Sequence, residues 1–488
     1  MRNLKYCLSF VCTIYFLLQS AQLRAETTPV PFAVTKDNNF WQEPVNCPGV
    51  LNGIEIKNSF PDKQWWLEFN DPILNCYINQ AISANQDIQI ALARIEEANA
   101  QVGIVFGREF PQIILRDIFF RVRGSKTFLV PNAAQSQVQS NSVLAGGTQN
   151  IYILPLTVQY ELDYLGKNHS RTKAARKEAE ASKYDYETAI INITSSVATA
   201  YLNLIRADKL LILQCELLQN LEKSLCLRQT EFEQGIISLD DVLTNQEAIS
   251  ATRANISDIK RLQGVLVHQL DILMGKPPSA ELCLKRTDLD CLSVNKIIET
   301  GEPCSLIVRR PDISAAEAQL EAAGLNVSVA RKDLFPSISV LGIFGYATSN
   351  LERFFNWDSN TTAIGAGISQ ALFTGGSKIS NLRLTKAQYK EDVQTYQRTI
   401  LNAFREVEDS LSTLNASINQ YVQAECDIVN SKEQLFLTTE RYNQGINSRL
   451  DVLLSEQQLI NFKQNQVQKK SEILVNNISL YKALGGGF

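Results

Sequence analysis

The stretch 232–243, FEQGIISLDDVL, returns almost unchanged 210 residues later as YNQGINSRLDVL at 442–453. Seven positions are identical in the two copies, and in the first copy they are Gln234, Gly235, Ile236, Ser238, Asp241, Val242 and Leu243. A glycine is typical of the position just after a helix C-terminus, where the backbone takes a left-handed conformation. The sequence therefore predicts that Gly235 and Gly445 each form the turn at the tip of a helical hairpin.

Long helices are predicted on both sides of each tip. No proline lies between Pro155 and Pro277 or after Pro336, and both stretches are rich in Ala, Leu, Ile, Glu, Lys and Gln. This composition favours uninterrupted helices, and one of about 65 residues would be about 100 Å long. The expected helices are 170–233, 239–274, 377–443 and 449–484.

The helix expected at 377–443 carries a coiled-coil pattern. Its apolar residues are separated alternately by four and three positions, at Ile400, Phe404, Val407, Leu411, Leu414, Ile418 and Tyr421. This spacing predicts a continuous apolar seam that packs against a neighbouring helix.

The repeat extends upstream of the helical hairpins. ALARIEEANAQVGIVFGREFP at 91–111 matches AEAQLEAAGLNVSVARKDLFP at 316–336, and alternating apolar residues follow each copy. Period-two alternation predicts one β-hairpin in each half of the chain, at about 111–165 and 336–373. The fold class is therefore mixed α and β, mostly long α-helices, with an internal two-fold repeat.

The two predicted β-hairpins differ in detail. In the first, Arg116 and Asp117 interrupt both faces of the opening strand, and the polar loop 124–149 accounts for 15 extra residues. In the second, the final strand is expected within residues 361–373. Gly166, Gly375 and Gly376 are expected where strand turns into helix, because glycine permits an abrupt change of backbone direction.

Four strands in one chain are too few to close a barrel, which needs about eight. Downstream of the N-terminus no stretch offers about 20 continuous apolar residues, so no transmembrane helix is predicted there. Open sheet edges are not tolerated in lipid. If the strands lie in a membrane, several chains must share one barrel; otherwise the chain is soluble.

Residues 1–25 are typical of an export signal. Arg2 and Lys5 precede a mostly apolar run, and Ala25 is a plausible cleavage point. Cleavage would change the net charge from −4 to −7, because three basic residues and no acid are removed. A buried N-terminal helix or a retained anchor is the alternative interpretation.

Composition excludes several classes of function. The negative net charge does not favour a nucleic-acid partner, and the only two histidines are His169 and His268. No nucleotide-binding loop, metalloprotease motif or Cys/His metal spacing is present, so we expect no catalysis, metal or cofactor. The sequence leaves two alternatives for the cysteines. They form disulfides among Cys283, Cys291 and Cys304, or they are free buried thiols.

Linked motifs over residues 65–488 resemble the TolC-type outer-membrane efflux proteins, in particular the branch that serves resistance-nodulation-division pumps. The motifs are YELDYLGK (160–167), RRPDISAAEAQLEAAGLNVSVARKDLFPSISV (309–340), LFTGG (372–376), AFREVEDSL (403–411), RYNQGINSRLDVLLSEQQL (441–459) and LYKALGGG (480–487). Any one of them would be weak evidence, but their order and number make the resemblance specific.

The resemblance implies a homotrimer in which each chain gives four strands to a twelve-stranded outer-membrane β-barrel. A periplasmic α-helical coiled-coil barrel and an equatorial collar would follow. The protein would export small molecules passively, with a periplasmic adaptor and an inner-membrane resistance-nodulation-division transporter as partners and outer-membrane lipid around the barrel. The expected parts are a signal peptide (1–25), a collar segment (26–64), a first repeat (65–275), an equatorial linker (276–308) and a second repeat (309–488).

The resemblance also implies roles at the tips, 233–240 and 443–450. Leu450, Asp451 and Leu454 align with positions that form constricting rings in various members. Tyr442 and Asn447 align with positions that bond to the neighbouring hairpin, and Asp241 with a partner there. Asn447 stands where some members have Arg, so a neutral and weaker hydrogen bond is expected. The competing interpretation of Asp451 is a helix cap or a solvated charge.

Two other functions remain open from the sequence. The heptads alone would allow a periplasmic coiled-coil structural protein that is not a channel. Within the family, the same conduit could serve as an outlet for type I protein secretion.

Overall fold

The computed structural model describes residues 55–57, 64–123, 148–278, 285–292, 297–299 and 303–486. The predicted signal peptide 1–25 and most of the predicted loop 124–149 lie outside the described residues.

Long α-helices dominate the described part of the chain. In chain order its α-helices are α1 (Pro72–Ala84), α2 (Gln86–Phe106), α3 (Lys167–Glu233), α4 (Leu239–Leu273), α5 (Pro303–Arg309), α6 (Pro311–Lys332), α7 (Ser377–Asn443) and α8 (Arg449–Ala483). Both α3 and α7 have 67 residues, so each is about 100 Å long at 1.5 Å per residue.

Each very long helix is matched along its length by two shorter ones. The α3 helix contacts α2 and α4 on one side and α6 and α8 on the other, and α7 contacts α6 and α8. The helices therefore form a wall four helices wide, in the order α2–α3–α6–α7 along one half and α4–α3–α8–α7 along the other. The absence of proline from α3 and α7 allows each to run through both halves of the wall. A proline would break the helix and separate those halves.

The heptad seam of α7 is buried, as its spacing predicted. Val407 and Leu414 are fully buried, and Phe404 packs against the same cluster while partly exposed. Partners on the facing helix α8 include Ile473 and Leu480. A second cluster, centred on α3, buries Trp65, Leu74, Ile78, Tyr201, Leu204 and Leu270.

One helix passes a length-and-composition test for a membrane span. This helix is α3, and most of its apolar stretch is buried inside the protein. Burial on this scale is typical of a packed core helix, where apolar residues contact neighbouring helices.

Seven short or medium strands are described. They are β1 (Glu55–Lys57), β2 (Gln112–Leu115), β3 (Ile118–Arg123), β4 (Thr148–Leu162), β5 (Ile297–Glu299), β6 (Ser337–Thr348) and β7 (Asn360–Ser369). The main sheet is antiparallel, with β2 and β3 both on β4, then β6, then β7. The last strand ends before residue 373, because Ser369 already pairs with the first residue of β6, Ser337.

The register gives the main sheet one face that is apolar along most of its length. In β4 this face carries Tyr152, Leu154, Leu156, Val158, Tyr160 and Leu162, opposite Thr348, Tyr346, Phe344, Gly342, Val340 and Ile338 of β6. The same register adds Ile113, Leu115 and Phe119 from one edge and Ile364 and Ile368 from the other. We call this set the apolar face. The opposite face is mixed: in β6 and β7 it carries Ser337, Ser339, Gly345, Gly365, Gly367 and Ser369 together with Leu341, Ile343, Ala347 and Ala363. Ile118, Phe120, Ile151 and Ile153 of β3 and β4 also lie on it.

Pro155 explains why the opening strand is split at Arg116 and Asp117. Leu115 pairs with Leu156 and Ile118 with Ile153, so the split faces Pro155. Proline has no N–H to donate, and there the remaining bond runs from the Arg116 N–H to the Pro155 carbonyl oxygen at 3.2 Å. The alternation of apolar residues is interrupted at this point in the sequence. The absent N–H of Pro155 explains why the strand pairing stops there.

A small parallel pair joins distant parts of the chain. Strand β1 pairs with β5, from Glu55 opposite Ile297 to Lys57 opposite Glu299. Between them in sequence, the segment 285–292 lies across the long helices, with Leu289 fully buried. Lys470 of α8 donates to the Leu289 carbonyl oxygen at 2.9 Å, so this segment links α8 to the α3 cluster.

The RRPD motif at 309–312 has a structural role. Arg310 precedes Pro311 at the start of α6 and is 8% exposed. Its guanidinium lies 2.7 Å from Asp312 and 2.8 Å from Glu406, and it donates to the Ala483 carbonyl oxygen at 2.9 Å. One side chain therefore ties together the start of α6, the middle of α7 and the end of α8.

We expect Gly345→Ala to disrupt the main sheet. A Cβ at Gly345 would lie 2.1 Å from the Leu154 carbonyl oxygen, so β4 and β6 would have to separate there. We expect a loss of about 1–3 kcal/mol in the free energy of unfolding, as for other overpacked sites.

The matched control is Gly342→Ala in the same strand, where the added Cβ would meet Val158 at an ordinary 3.7 Å. Unfolding of both variants, followed by circular dichroism in detergent, checks this. Equal stability of the two variants would contradict the close approach at Gly345.

Candidate functional site

Both tips close with the same hydrogen-bonded turn. At the end of α3, Gly235 N–H donates to the Phe232 carbonyl oxygen and Ile236 N–H to that of Glu231, both at 2.9 Å. At the end of α7, Gly445 and Ile446 donate in the same way to Tyr442 and Arg441. This is the Schellman arrangement, and it requires the left-handed φ of 71° at Gly235 and 73° at Gly445.

The helices that follow the two turns begin with the same capping box. Ser448 N–H donates to the Asp451 carboxylate at 2.8 Å, and Asp451 N–H donates to the Ser448 hydroxyl oxygen at 3.2 Å. Ser238 and Asp241 repeat the pattern at 3.2 Å and 3.4 Å. Reciprocal bonds of this kind satisfy backbone donors that a helix start leaves open. The recurrence of the Ser and Asp positions therefore has a structural cause.

The Asp241 carboxylate is more strongly held than a solvated acid. Hydrogen bonds from the hydroxyl and the backbone N–H of Ser238 lower its pKa below the usual value, and Arg228 contributes in the same direction. The Arg228 guanidinium lies 3.7 Å from this carboxylate and also donates to the Asp241 carbonyl oxygen. Asp241 thus stays ionised and joins α3 to α4 within the first hairpin.

The structure brings Leu450, Asp451 and Leu454 together in the first turns of α8. Residues three and four apart share one face of a helix, so these side chains form a single patch. Leu454 is 42% exposed, and Leu450 and Asp451 are partly exposed. An apolar residue of this exposure beside a carboxylate can form a narrow lining when several copies meet.

The first tip has different residues at the corresponding positions. Offset by 210 residues, Leu450 corresponds to Asp240 and Leu454 to Thr244, while Asp451 corresponds to Asp241. The two tips share their backbone turn and their cap but not their side-chain patch. Only the second tip carries the apolar pair.

Three residues that the sequence did not single out connect the second tip to the first hairpin. The Arg449 guanidinium lies over the Tyr442 ring at 5.9 Å and within 4.0 Å of the Glu456 carboxylate. Asn220 of α3, which is 5% exposed, donates its side-chain N–H to Glu456 at 2.7 Å. We call Tyr442, Arg449, Glu456 and Asn220 the tip chain, because each contacts the next.

The predicted contacts between hairpins are not made inside one chain. Among the described residues no hydrogen bond joins Asp241 to Tyr442 or Asn447; Asp241 bonds to Ser238 instead. Tyr442 contacts Arg449 of its own hairpin. A role for Asp241, Tyr442 and Asn447 between chains stays a prediction.

The strand-to-helix glycines lie at the other end of the long helices. Gly166 (φ 69°) directly precedes α3, and Gly376 (φ 80°), with Gly375 (φ 58°) before it, precedes α7. Lys332 donates to the Gly166 carbonyl oxygen at 3.0 Å and so fixes this junction to α6. Such φ values are accessible to glycine at little cost, which accounts for all three positions.

No group of three or more His, Cys, Asp or Glu side chains in the described part of the chain could hold a metal ion. Five described cysteines, among them Cys291, are free thiols.

The chain matches a family model described as outer membrane efflux protein over residues 77–276 and 303–486. It is 29% identical over 429 residues to the toluene efflux pump outer membrane protein TtgC of Pseudomonas putida, covering 88% of this chain and 86% of TtgC. It is 27% identical over 495 residues to the cation efflux system protein CusC of Escherichia coli, covering 99% of this chain and 98% of CusC.

Solved structures agree with these matches. The outer-membrane channel OprN superposes with a TM-score of 0.79 at 25% identity, covering 92% of this chain and 99% of OprN. The Campylobacter jejuni CmeC outer membrane channel superposes with a TM-score of 0.77 at 25% identity, covering 88% of this chain and 89% of CmeC. The chain belongs to the outer membrane efflux protein family and is the outer-membrane channel of a tripartite efflux system.

Proposed function

We propose that the channel is a homotrimer in which three chains share one twelve-stranded barrel. The main sheet of one chain contributes four strands, counting the split β2 and β3 as one, and its outer edges are β2 with β3 and β7. Backbone groups on both edges have no partner among the described residues, which lipid does not tolerate. Pairing of β7 with β2 and β3 of the next chain satisfies both edges at once.

The dimensions of the apolar face support its contact with lipid. From Tyr152 to Leu162, strand β4 covers about 34 Å along its axis, which at a typical barrel tilt gives a band about 25 Å tall. This height matches the apolar band of outer-membrane barrels. The opposite, mixed face, which in β6 and β7 carries serines and glycines as well as Leu341 and Ile343, would line the conduit.

The helical wall supports the same stoichiometry. Its outer helices are α2 and α4 on one side and α7 on the other, and each leaves large apolar residues exposed. Examples are Ile104 at 61% in α2, Leu243 at 47% in α4 and Phe436 at 63% in α7. Three walls joined edge to edge would bury these residues and enclose a hollow periplasmic cylinder. Segments 26–64 and 276–308, joined by β1 and β5, would form its collar.

We assign small molecules as the exported cargo. The relatives named for toluene and for cations support this assignment, since they belong to the same family and match almost their whole length. A periplasmic adaptor and an inner-membrane resistance-nodulation-division transporter would supply specificity and energy, since the relatives are named as parts of efflux pumps and efflux systems.

The gate of this conduit would be the second tip. In a trimer, three copies of Leu450 and Leu454 form an apolar constriction, and three copies of Asp451 form a ring of negative charge that attracts cations. The tip chain would hold the second hairpin against the first in the closed state. Asn220 provides the anchor on α3, and Glu456 moves with α8.

Two substitutions separate the charge of Asp451 from its capping role. Asp451→Asn removes the charge but keeps an oxygen that can accept from Ser448, whereas Ser448→Ala removes the cap and keeps the charge. We expect Asp451→Asn to weaken block by divalent cations several-fold, because a threefold ring of carboxylates is lost.

We expect Ser448→Ala to keep the block and to cost about 1 kcal/mol of stability. Single-channel recording in planar bilayers checks both variants. Cation block that is unchanged in Asp451→Asn would remove this carboxylate from the gate.

A second pair of variants tests the tip chain. Glu456→Ala removes the acceptor for Asn220 and the partner of Arg449, so we expect the open fraction of the channel to rise about threefold to tenfold. This range allows about 1 kcal/mol for a partly exposed charged hydrogen bond.

The matched control is Gln246→Ala, the corresponding and exposed position of the first tip. Its open fraction should equal that of the unaltered protein. If the two variants conduct alike, the tip chain does not restrain the second hairpin.

A further inference from the structure

A cluster of aromatic rings lies at the end of the main sheet that is farthest from the long helices. Phe119 and Tyr152 lie 5.0 Å apart, and Phe354 from the loop between β6 and β7 lies 6.4 Å from both Tyr152 and Tyr346. Phe355, which is 76% exposed, lies 5.8 Å from Tyr346. Aromatic rings of this kind mark the interface between the apolar band and the headgroups in membrane barrels.

Two arginines continue the apolar face beyond these rings. Arg121 pairs with Asn150 and Arg123 with Thr148, two and four residues beyond the Phe119–Tyr152 pair on the same face. Along the strand this places them about 7 Å and 14 Å past the ring level. They therefore lie where the headgroups of the surrounding lipid begin.

Both arginines are exposed. Neither forms an ion pair within the part of the chain that the structure describes, and the acids of the neighbouring loop are Glu352 and Asp358. A guanidinium presents a planar fork of donors that fits a phosphate group, and two of them in one row fit two phosphates or one phosphate held from both sides.

We propose that Arg121 and Arg123 bind the phosphate groups of the phosphorylated glycolipid in the outer leaflet of the outer membrane. The proposal rests on the trimeric barrel of the proposed function, which directs this end of the sheet outward. Phospholipids of the inner leaflet would meet the opposite end of the band, near Leu162, where the apolar face ends. The rings would contact the acyl chains and sugars while the two arginines neutralise the phosphates.

Native mass spectrometry of the detergent-purified protein tests this with bisphosphorylated lipid A as the probe. We expect lipid A adducts on the unaltered protein and about tenfold fewer on the double variant Arg121→Gln and Arg123→Gln, which loses charge-assisted bonds. Arg121→Lys with Arg123→Lys should retain part of the binding, because the charge remains. Monophosphorylated lipid A should bind more weakly than the bisphosphorylated form.

The matched control is Arg398→Gln with Arg405→Gln, which removes two exposed arginines from α7. Its adducts should equal those of the unaltered protein. Equal adducts on the Arg121→Gln, Arg123→Gln variant and on this control, or equal binding of phosphatidylglycerol and lipid A, would overturn the proposal. The mass of the protein itself reports the oligomer, so failure of the trimer is seen separately from failure of lipid binding.

Discussion

The open edges of the main sheet are the constraint on which the rest of the structure depends. In the part of the chain that the structure describes, four antiparallel strands leave backbone donors and acceptors unpaired along β7 and along β2 with β3. In lipid such edges must be paired, and pairing with other copies of the same chain would satisfy them. The apolar face, the helical wall with exposed apolar edges and the duplicated tips all agree with a closed ring built from several identical chains.

The long helices connect the main sheet to the two tips. Helices α3 and α7 run unbroken for 67 residues each, from the strand-to-helix glycines at one end to the Schellman turns at the other. Shorter helices pack along both: α2, α4, α6 and α8 along α3, and α6 and α8 along α7. Arg310 and Lys470 fix the C-terminal half of α8 to its neighbours, and the tip chain fixes its N-terminal end.

Much of this architecture could be predicted from the sequence, since it depends on local pattern. Gly235 and Gly445 predicted the two turns, and the apolar seam from Ile400 to Tyr421 predicted the buried face of α7. Contacts between distant residues could not be predicted: Asn220 and Glu456 are 236 positions apart. Asp451 shows the limit most clearly, because its recurrence reflects the capping box and carries no information about a gate. The residue at which β7 ends could not be predicted either, because it is set by the first residue of its partner strand β6.

Electron microscopy of the protein, purified in detergent from outer membranes, tests the shared barrel most directly. Our account predicts particles with three-fold symmetry, in which a hollow cylinder about 100 Å long continues from a shorter membrane part. Monomeric particles, or a solid rod without a lumen, would contradict it. In that case the duplicated hairpins would belong to a coiled-coil scaffold and the edges of the sheet would need another partner.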